Sequence, residues 1–337
     1  MSRLRGIRGV RTRAITGVIV VVLAALASVP AASAKSEPKA KATTTTTTPP
    51  APTTTTAVPV PDVPAPAGPG GSVAWQPAGR SVLNRPLLYL SSAFGAQLAW
   101  MPPGLVRGYV VPGTGDPMVS VWGGQVAPEA RPFLVAGFNG GFKSGDFAGG
   151  ILAFGQQFRS QAAGVASFVV YADGTITVGE WGRQIDTSRP IVAVRQNLGM
   201  LVDGGQPTAA TGNPGNWGGS VAGVATARSA VGVDANGGLV WAGGRVSPND
   251  LARALVAGGA VRGMQLDINP DWVNFNLYAP GPDNVVHGQP VYGATGVDRY
   301  LSPNSRDFIV IAIRGTIVPG GGAKLGQATL ATEVTAK

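Results

Sequence analysis

The stretch from Ser247 to Trp272, S-P-N-D-L-A-R-A-L-V-A-G-G-A-V-R-G-M-Q-L-D-I-N-P-D-W, limits the possible folds of this chain more than any other. The Ser247 hydroxyl can accept from the free amides at a helix start, and Pro248 suits the first helical position, where no N–H is needed. Leu251, Ala254 and Leu255 recur at helical spacing, so one face is apolar. Gly258 and Gly259 stop the helix, because glycine enters left-handed backbone at little cost. The run Val261 to Leu266 then reads as a strand that ends on Asp267. A strand end in an α/β sheet opens onto the crevice where ligands bind. Asp267 can equally cap the turn it makes with Asn269 and Pro270.

The remainder of the chain reads as strands and turns. Charged residues make up 13%, while 50 glycines and 28 prolines punctuate the sequence, a composition that suits short strands better than long charged helices. Leu87 to Leu90, Val106 to Val111, Pro132 to Phe138, Val192 to Val194, Met200 to Val202 and Phe308 to Ile313 are apolar runs of strand length. Ser167 to Trp181 predicts a hairpin turning at Asp173-Gly174. Ala230 to Asp234 and Leu239 to Trp241 predict a second, turning around Asn236-Gly237-Gly238. Ala209 to Gly219 reads as a loop. With one clear helix among many strands, the expected class is α+β: a mixed sheet with few helices in a single domain.

Before that domain, residues 1–34 read as a secretory signal or an uncleaved anchor. Arg3, Arg5, Arg8, Arg11 and Arg13 precede the apolar run Ala14 to Val29, and Ala32-Ser33-Ala34 supplies a cleavage pattern. Residues 35–72 form a Thr/Pro-rich linker that cannot bury enough apolar surface to fold. The globular part is expected over residues 73–318, with a flexible tail over 319–337. Of the 26 Lys and Arg and 17 Asp and Glu, eight and two precede residue 73; the 18 and 15 that remain leave only +3. That charge does not describe a nucleic-acid binder. The expected setting is secreted or cell-envelope associated.

The absence of cysteine rules out disulfides, thiol nucleophiles and zinc-thiolate sites. The single histidine, His287, has no visible partner and reads as a loop residue. Four segments place glycine or a small residue beside a polar side chain at a strand end. Asn139-Gly140-Gly141 can form a nest of backbone N–H groups for an anionic oxygen, or a plain tight turn. Arg228, ahead of Ser229-Ala230, can clamp phosphate with two parallel bonds, or form a surface ion pair. Asp203 with Gly204 is a turn with a possible binding role. Asp267 with Asn269 is the fourth. Trp217, Trp272 and Tyr278 can stack on sugar rings or belong to the core, and Asp234 reads as structural.

F-N-G-G-F at 138–142, L-V-D-G-G at 201–205, A-R-S-A-V-G at 227–232 and the helix–Gly–strand unit ending at Asp267 together resemble the phosphodiester glycosidase family, in the family's order across roughly residues 80–315. The likeness is strongest to exported actinobacterial members. One departure stands out. The family's L-D-G-G-G-S loop is replaced by Leu266-Asp267-Ile268-Asn269-Pro270, which removes open backbone where a ligand would approach.

The resemblance implies a hydrolase that cleaves the bond between an anomeric carbon and a phosphodiester, with a surface glycopolymer of the cell envelope as the expected substrate. It implies catalytic roles for Asp267, Arg228 and Asn139. Arg228 would clamp the phosphate and Asn139 would hold oxygens with the Gly140 and Gly141 amides. Asp267 would act as base or nucleophile, and Asp203 is the candidate second carboxylate. Gly204, Asn269 and Trp272 complete the expected binding residues. No motif calls for a cofactor, and the sequence leaves a divalent metal open. Two other readings compete: a non-catalytic cell-wall glycan-binding module, and a metal-dependent phosphodiesterase that cleaves P–O.

Overall fold

The computed structural model describes residues 68–117, 121–147, 149–218, 225–293, 296 and 298–314. The signal at 1–34, the linker up to residue 67 and the tail at 319–337 lie outside the described residues. The linker's last residues are tied to the domain: Ser72 N–H donates to Ala257 O at 2.8 Å, and Trp75 Nε1 donates to Gly70 O at 3.0 Å. The folded part therefore begins a few residues before 73.

Three larger sheets enclose one core, beside a two-stranded ladder of Ser81–Val82 with Arg85–Pro86. The largest has eight strands. Its central members, in spatial order, are Tyr89–Ala93, Ala96–Met101, Leu239–Val246, Thr226–Asp234, Ala260–Gln265 and Met200–Asp203. A five-stranded sheet carries Ile176–Glu180, Ala166–Tyr171 and Ile191–Gln196, followed by Ile151–Ala153 and Gln156–Arg159. The third sheet orders Val286–Tyr292, Phe275–Pro280, Leu134–Asn139, Phe308–Ile313 and Val106–Val111. Alternation along each strand sends every second side chain inward. Trp241 and Met264 from the first sheet, Phe168 and Val178 from the second, and Phe138 and Ile309 from the third meet in one buried cluster. Within it Phe275 stacks on Phe138 at 5.7 Å and packs against Trp241 at 4.8 Å.

The outer face of the large sheet is covered by the helix α1, Pro248–Ala257, as its sequence predicts. Leu251, Ala254 and Leu255 pack on Leu98, Ala230, Val240 and Ala242. Burying each leucine stabilises by about 1.5–3 kcal/mol. Ser247 Oγ accepts from Asp250 N–H at 3.0 Å, and Gly259, at φ +93°, takes the left-handed position that ends the helix.

The expected α+β class with a mixed sheet is met only in part. The described residues hold this one α-helix, and every strand ladder among them is antiparallel, apart from a single parallel bridge between Asp116 and Arg306. The architecture is mostly β. The physical reason is local: tight turns such as Asp173-Gly174 and Asn236-Gly237-Gly238 join neighbours directly, whereas parallel neighbours need long crossovers. The 209–218 segment, expected as a loop, forms two 3-10 turns that drive Trp217 into the layer beneath α1, 1% exposed. Trp217 and Tyr278, candidates for sugar stacking, are buried core residues.

Replacing Ser247 with alanine removes the cap and is expected to cost about 1 kcal/mol. Urea unfolding should show a lower midpoint at unchanged slope.

Candidate active site

The site forms where the large sheet meets the third sheet, and Ser229 is the junction. The ladder between Thr226–Asp234 and Ala260–Gln265 pairs Ala230 with Gln265. Two residues further, the same register would set Arg228 opposite Asp267, with both side chains on one face. Instead Ser229 N–H donates to Asp267 O at 3.0 Å while Ser229 O accepts from Leu266 N–H at 2.7 Å. Two residues of one strand thus face one residue of the other. This is a bulge, which bends the strand and re-aims the side chains beyond it. Arg228 stays on the helix side with Ala230. Asp267 turns to the side of the Ser229 hydroxyl, which accepts its N–H at 3.3 Å.

From the third sheet, the strand Leu134–Asn139 delivers Asn139 to that hydroxyl. Asn139 Nδ2 donates to Ser229 Oγ and to Gly140 O, both at 2.9 Å. Asn139 Oδ1 accepts from Asn274 N–H at 3.2 Å and from Ser229 Oγ at 3.1 Å. Both amide protons are therefore engaged inside the protein. Asn139 sits in the cleft wall as a brace between two sheets. Of the two following amides, Gly140 N–H donates to Asp307 O at 3.1 Å, while Gly141 N–H has no partner among the described residues.

The second sheet fixes the outer end of this loop. Arg195 grips Asp307 with two bonds, Nε to Oδ2 at 2.7 Å and Nη2 to Oδ1 at 3.2 Å. Its Nη2 also donates to Phe142 O at 2.6 Å, and Asn197 Oδ1 accepts from Phe142 N–H at 3.2 Å. Asn197 Nδ2 reaches Gln265 O and Leu266 O at 3.0 and 2.7 Å, so one side chain ties the loop to the strand that leads to Asp267. A Cβ on Gly141 would lie 3.0 Å from Arg195 Cζ, so a larger residue needs the Arg195 guanidinium to give by a few tenths of an ångström.

Asn139, Gly140, Gly141, Asp267, Trp272, Arg299 and Arg306 line one narrow cleft of about 10 Å³, the room that one water needs. The two oxygens of Asp267 do different work. Oδ1 accepts from Ile268 and Asn269 N–H at 2.7 and 2.9 Å, capping its own turn. Oδ2 faces Arg306 Nη2 at 3.4 Å. Burial pushes the carboxyl pKa up; the Asn269 and Ile268 amides and the Arg306 charge pull it back. Arg306 Nη2 also donates to Gly141 O at 3.0 Å, and its Nε is buried without a partner among the described residues. The Trp272 ring carries two guanidiniums, Arg299 at 4.7 Å and Arg306 at 5.2 Å.

Four expected members lie elsewhere. Arg228 is fully buried behind the strand, its Nη1 donating to Trp217 O and Gln265 Oε1, both at 2.9 Å. Its Nε and Nη2 have no partner among the described residues, and burial pushes its pKa down to about 10. Asp203 and Gly204 sit at the opposite end of the large sheet, because Met200–Asp203 runs antiparallel to Ala260–Gln265. Asp203 bonds there to Arg183 and Gln184, at 2.8 Å each. Asn269 is exposed and off the cleft, its Oδ1 accepting from Asp271 N–H at 2.9 Å. Asp234 accepts from Trp100 Nε1 at 2.8 Å and holds its hairpin turn, and His287 lies exposed near Asp283.

Sequence reasoning passed over Arg195, Arg299, Arg306 and Asp307. A signal for the last pair was present: Ser305-Arg306-Asp307 abuts the wholly apolar Phe308–Ile313, so two charges enter a buried strand end. Phe308 pairs with Asn139, which puts them beside the F-N-G-G-F loop.

No family model and no curated protein matches the chain. Among solved structures, the zebrafish N-acetylglucosamine-1-phosphodiester alpha-N-acetylglucosaminidase catalytic domain, described as auto-inhibited by its pro-peptide, is similar at a TM-score of 0.46 and 19% identity, over 72% of this chain and 88% of that one. A hypothetical protein from Synechocystis is similar at a TM-score of 0.35 and 12% identity, over 72% of this chain and 62% of that one.

Two of the buried arginines, Arg195 and Arg228, should answer the same substitution differently. Arg195→Met strands the Asp307 carboxylate without a counter-ion and is expected to cost about 3–5 kcal/mol. Arg228→Met strands no carboxylate: it unpairs the Gln265 amide oxygen, a cost of about 1–3 kcal/mol, and removes a buried charge with two unpartnered donors, so its net loss is expected to be the smaller of the two. Thermal melts of both variants test the contrast.

Proposed function

We propose that this chain is a hydrolase that cleaves the bond between a sugar's anomeric carbon and a phosphodiester oxygen, exported and acting on a glycopolymer of the cell envelope. The observation that carries the reading is the Asp267 carboxylate facing the Arg306 guanidinium at 3.4 Å in a cleft walled by Trp272 and the Gly141 amide. Ordinary glycosides need two carboxyl groups, one of them to protonate the leaving oxygen. The cleft's other acid, Asp307, is held by two bonds from Arg195. One working carboxylate suits a substrate whose leaving group departs unaided, and a phosphomonoester does so as an anion.

In this mechanism Asp267 takes a proton from water as its oxygen attacks the anomeric carbon. The carbon–oxygen bond breaks and its electron pair leaves on the phosphate, whose charge Arg306 holds. The clamp role expected of Arg228 thus passes to Arg306, the cleft arginine that faces Asp267. Trp272 offers the sugar an aromatic wall, and Asn139 keeps the loop in place. Two-metal phosphodiester hydrolysis needs clustered carboxylate and imidazole ligands; no three His, Cys, Asp or Glu side chains gather among the described residues. A glycan-binding module without catalysis is the competing reading, favoured by the small volume of the cleft and by the turn-capping bonds of Asp267 Oδ1.

Incubation with sugar-1-phosphodiesters in oxygen-18 water should place label in the sugar. Label in the phosphate, or no product at all, overturns the reading. Asp267→Asn is expected to lower kcat by about 10²-fold or more, as loss of a general base does. As a base Asp267 must be ionised, so activity falls as pH drops through its raised pKa. Arg306→Met removes a charge that lowers this pKa, and the acid limb of the rate profile should move to higher pH.

A further inference from the structure

Arg306 has donors still to spend. Its Nη2 serves Gly141 O at 3.0 Å and Asp267 Oδ2 at 3.4 Å, while Nε is buried and unpartnered among the described residues. Nε and one Nη2 proton share an edge of the guanidinium plane, the edge that matches an oxyanion with two parallel bonds. An anion that takes this edge must draw an Nη2 proton from an existing bond, and the longer one, to Asp267, yields first. The Trp272 ring, 5.2 Å below, keeps the guanidinium in place when it does. On a reading that rests on the function proposed above, we propose that this edge of Arg306 binds a tetrahedral oxyanion of the phosphodiester class in competition with Asp267, so that anion binding and protonation of Asp267 are coupled.

The other charges around Asp267 do not cancel this exchange. Asp307 repels it but is neutralised by Arg195. Arg299 lies against the Trp272 face, Tyr300 is a buried phenol bonded to Asn274, and Arg228 is on the far side of its strand. A bound anion therefore takes the Arg306 hydrogen bond from Asp267 and adds a negative charge beside it. Both effects raise the carboxyl pKa above its ligand-free value. Between the two values binding takes up a proton, and affinity falls as pH rises through that window. Each unit of pKa separation is a tenfold change in affinity. In catalysis the bound substrate makes Asp267 a stronger base, so the acid limb of kcat should lie at higher pH than that of kcat/KM.

Calorimetry of the full chain with sodium sulfate, and separately with dimethyl phosphate, in buffers of different ionisation enthalpy tests the coupling without any turnover. The expected result is net proton uptake with either anion and an affinity loss on the order of tenfold across the window. Asp267→Asn should still bind sulfate but take up no proton, and Arg306→Met should lose binding. Should Arg306→Met unfold, Arg306→Lys, which keeps the charge but not the two-pronged edge, should bind at least several-fold more weakly. Binding of sulfate without proton uptake, binding undiminished in the Arg306 variants, or no binding to the wild type overturns the proposal. Coupled anion binding by a chain that hydrolyses nothing would leave this inference standing and remove the proposed function.

Discussion

The Ser229 hydroxyl is the point on which the site depends. It is fully buried, exchanges bonds with the Asn139 amide and accepts from Asp267 N–H, while its own peptide holds Leu266 and Asp267. A buried polar group without partners costs about 1–3 kcal/mol. Ser229 is satisfied only when the large sheet and the third sheet meet in one relative placement. The bulge opposite Ser229 follows from the same bonds, and the bulge decides which face the acid takes. One small side chain therefore couples sheet packing to the chemistry of the cleft.

Electrostatics inside the cleft follow from pairing more than from the number of charges. Arg195 and Asp307 satisfy each other in the interior and act as a fastening for the Gly140–Phe142 loop. Arg306 and Asp267 are held more loosely, at 3.4 Å, because each also serves the backbone: Arg306 the Gly141 carbonyl, Asp267 the turn just after it. A pair that is incompletely satisfied is available to a ligand, whereas one bonded twice over is not. The two ion pairs thus divide the labour of holding the site and of meeting a substrate, although Arg306 and Asp307 are adjacent in the chain.

Much of the fold was legible. The helix with its serine cap and glycine stop, the 106–111 and 308–313 strands and both hairpin turns stand where period and turn chemistry put them. Other strands were harder to see. Phe275–Pro280 and Val286–Tyr292 carry asparagine, histidine and proline, which mask their alternation. Of the expected site, Asn139, Gly140, Gly141, Asp267 and Trp272 do share one cleft. Asp203 does not, because neighbouring antiparallel strands end on opposite sides of a sheet, whereas the rule that gathers strand ends belongs to parallel ones. Arg228 does not, because the bulge at Leu266 and Asp267 turns the acid to the Ser229 side while Arg228 keeps the helix side with Ala230.

The amino-acid sequence alone determined the local facts: where glycine and proline end an element, which runs are apolar enough to be buried, and that an acid stands at the end of the strand after α1. Those facts depend on neighbours a few residues away. Only the tertiary structure decided which charges meet. Arg195, Asp267 and Arg306 are far apart in the chain, and whether each gains a counter-ion depends on sheet register, on a bulge of one residue and on the face a strand turns inward. A shift of one position in any of these exchanges buried for exposed side chains, and no local pattern records it.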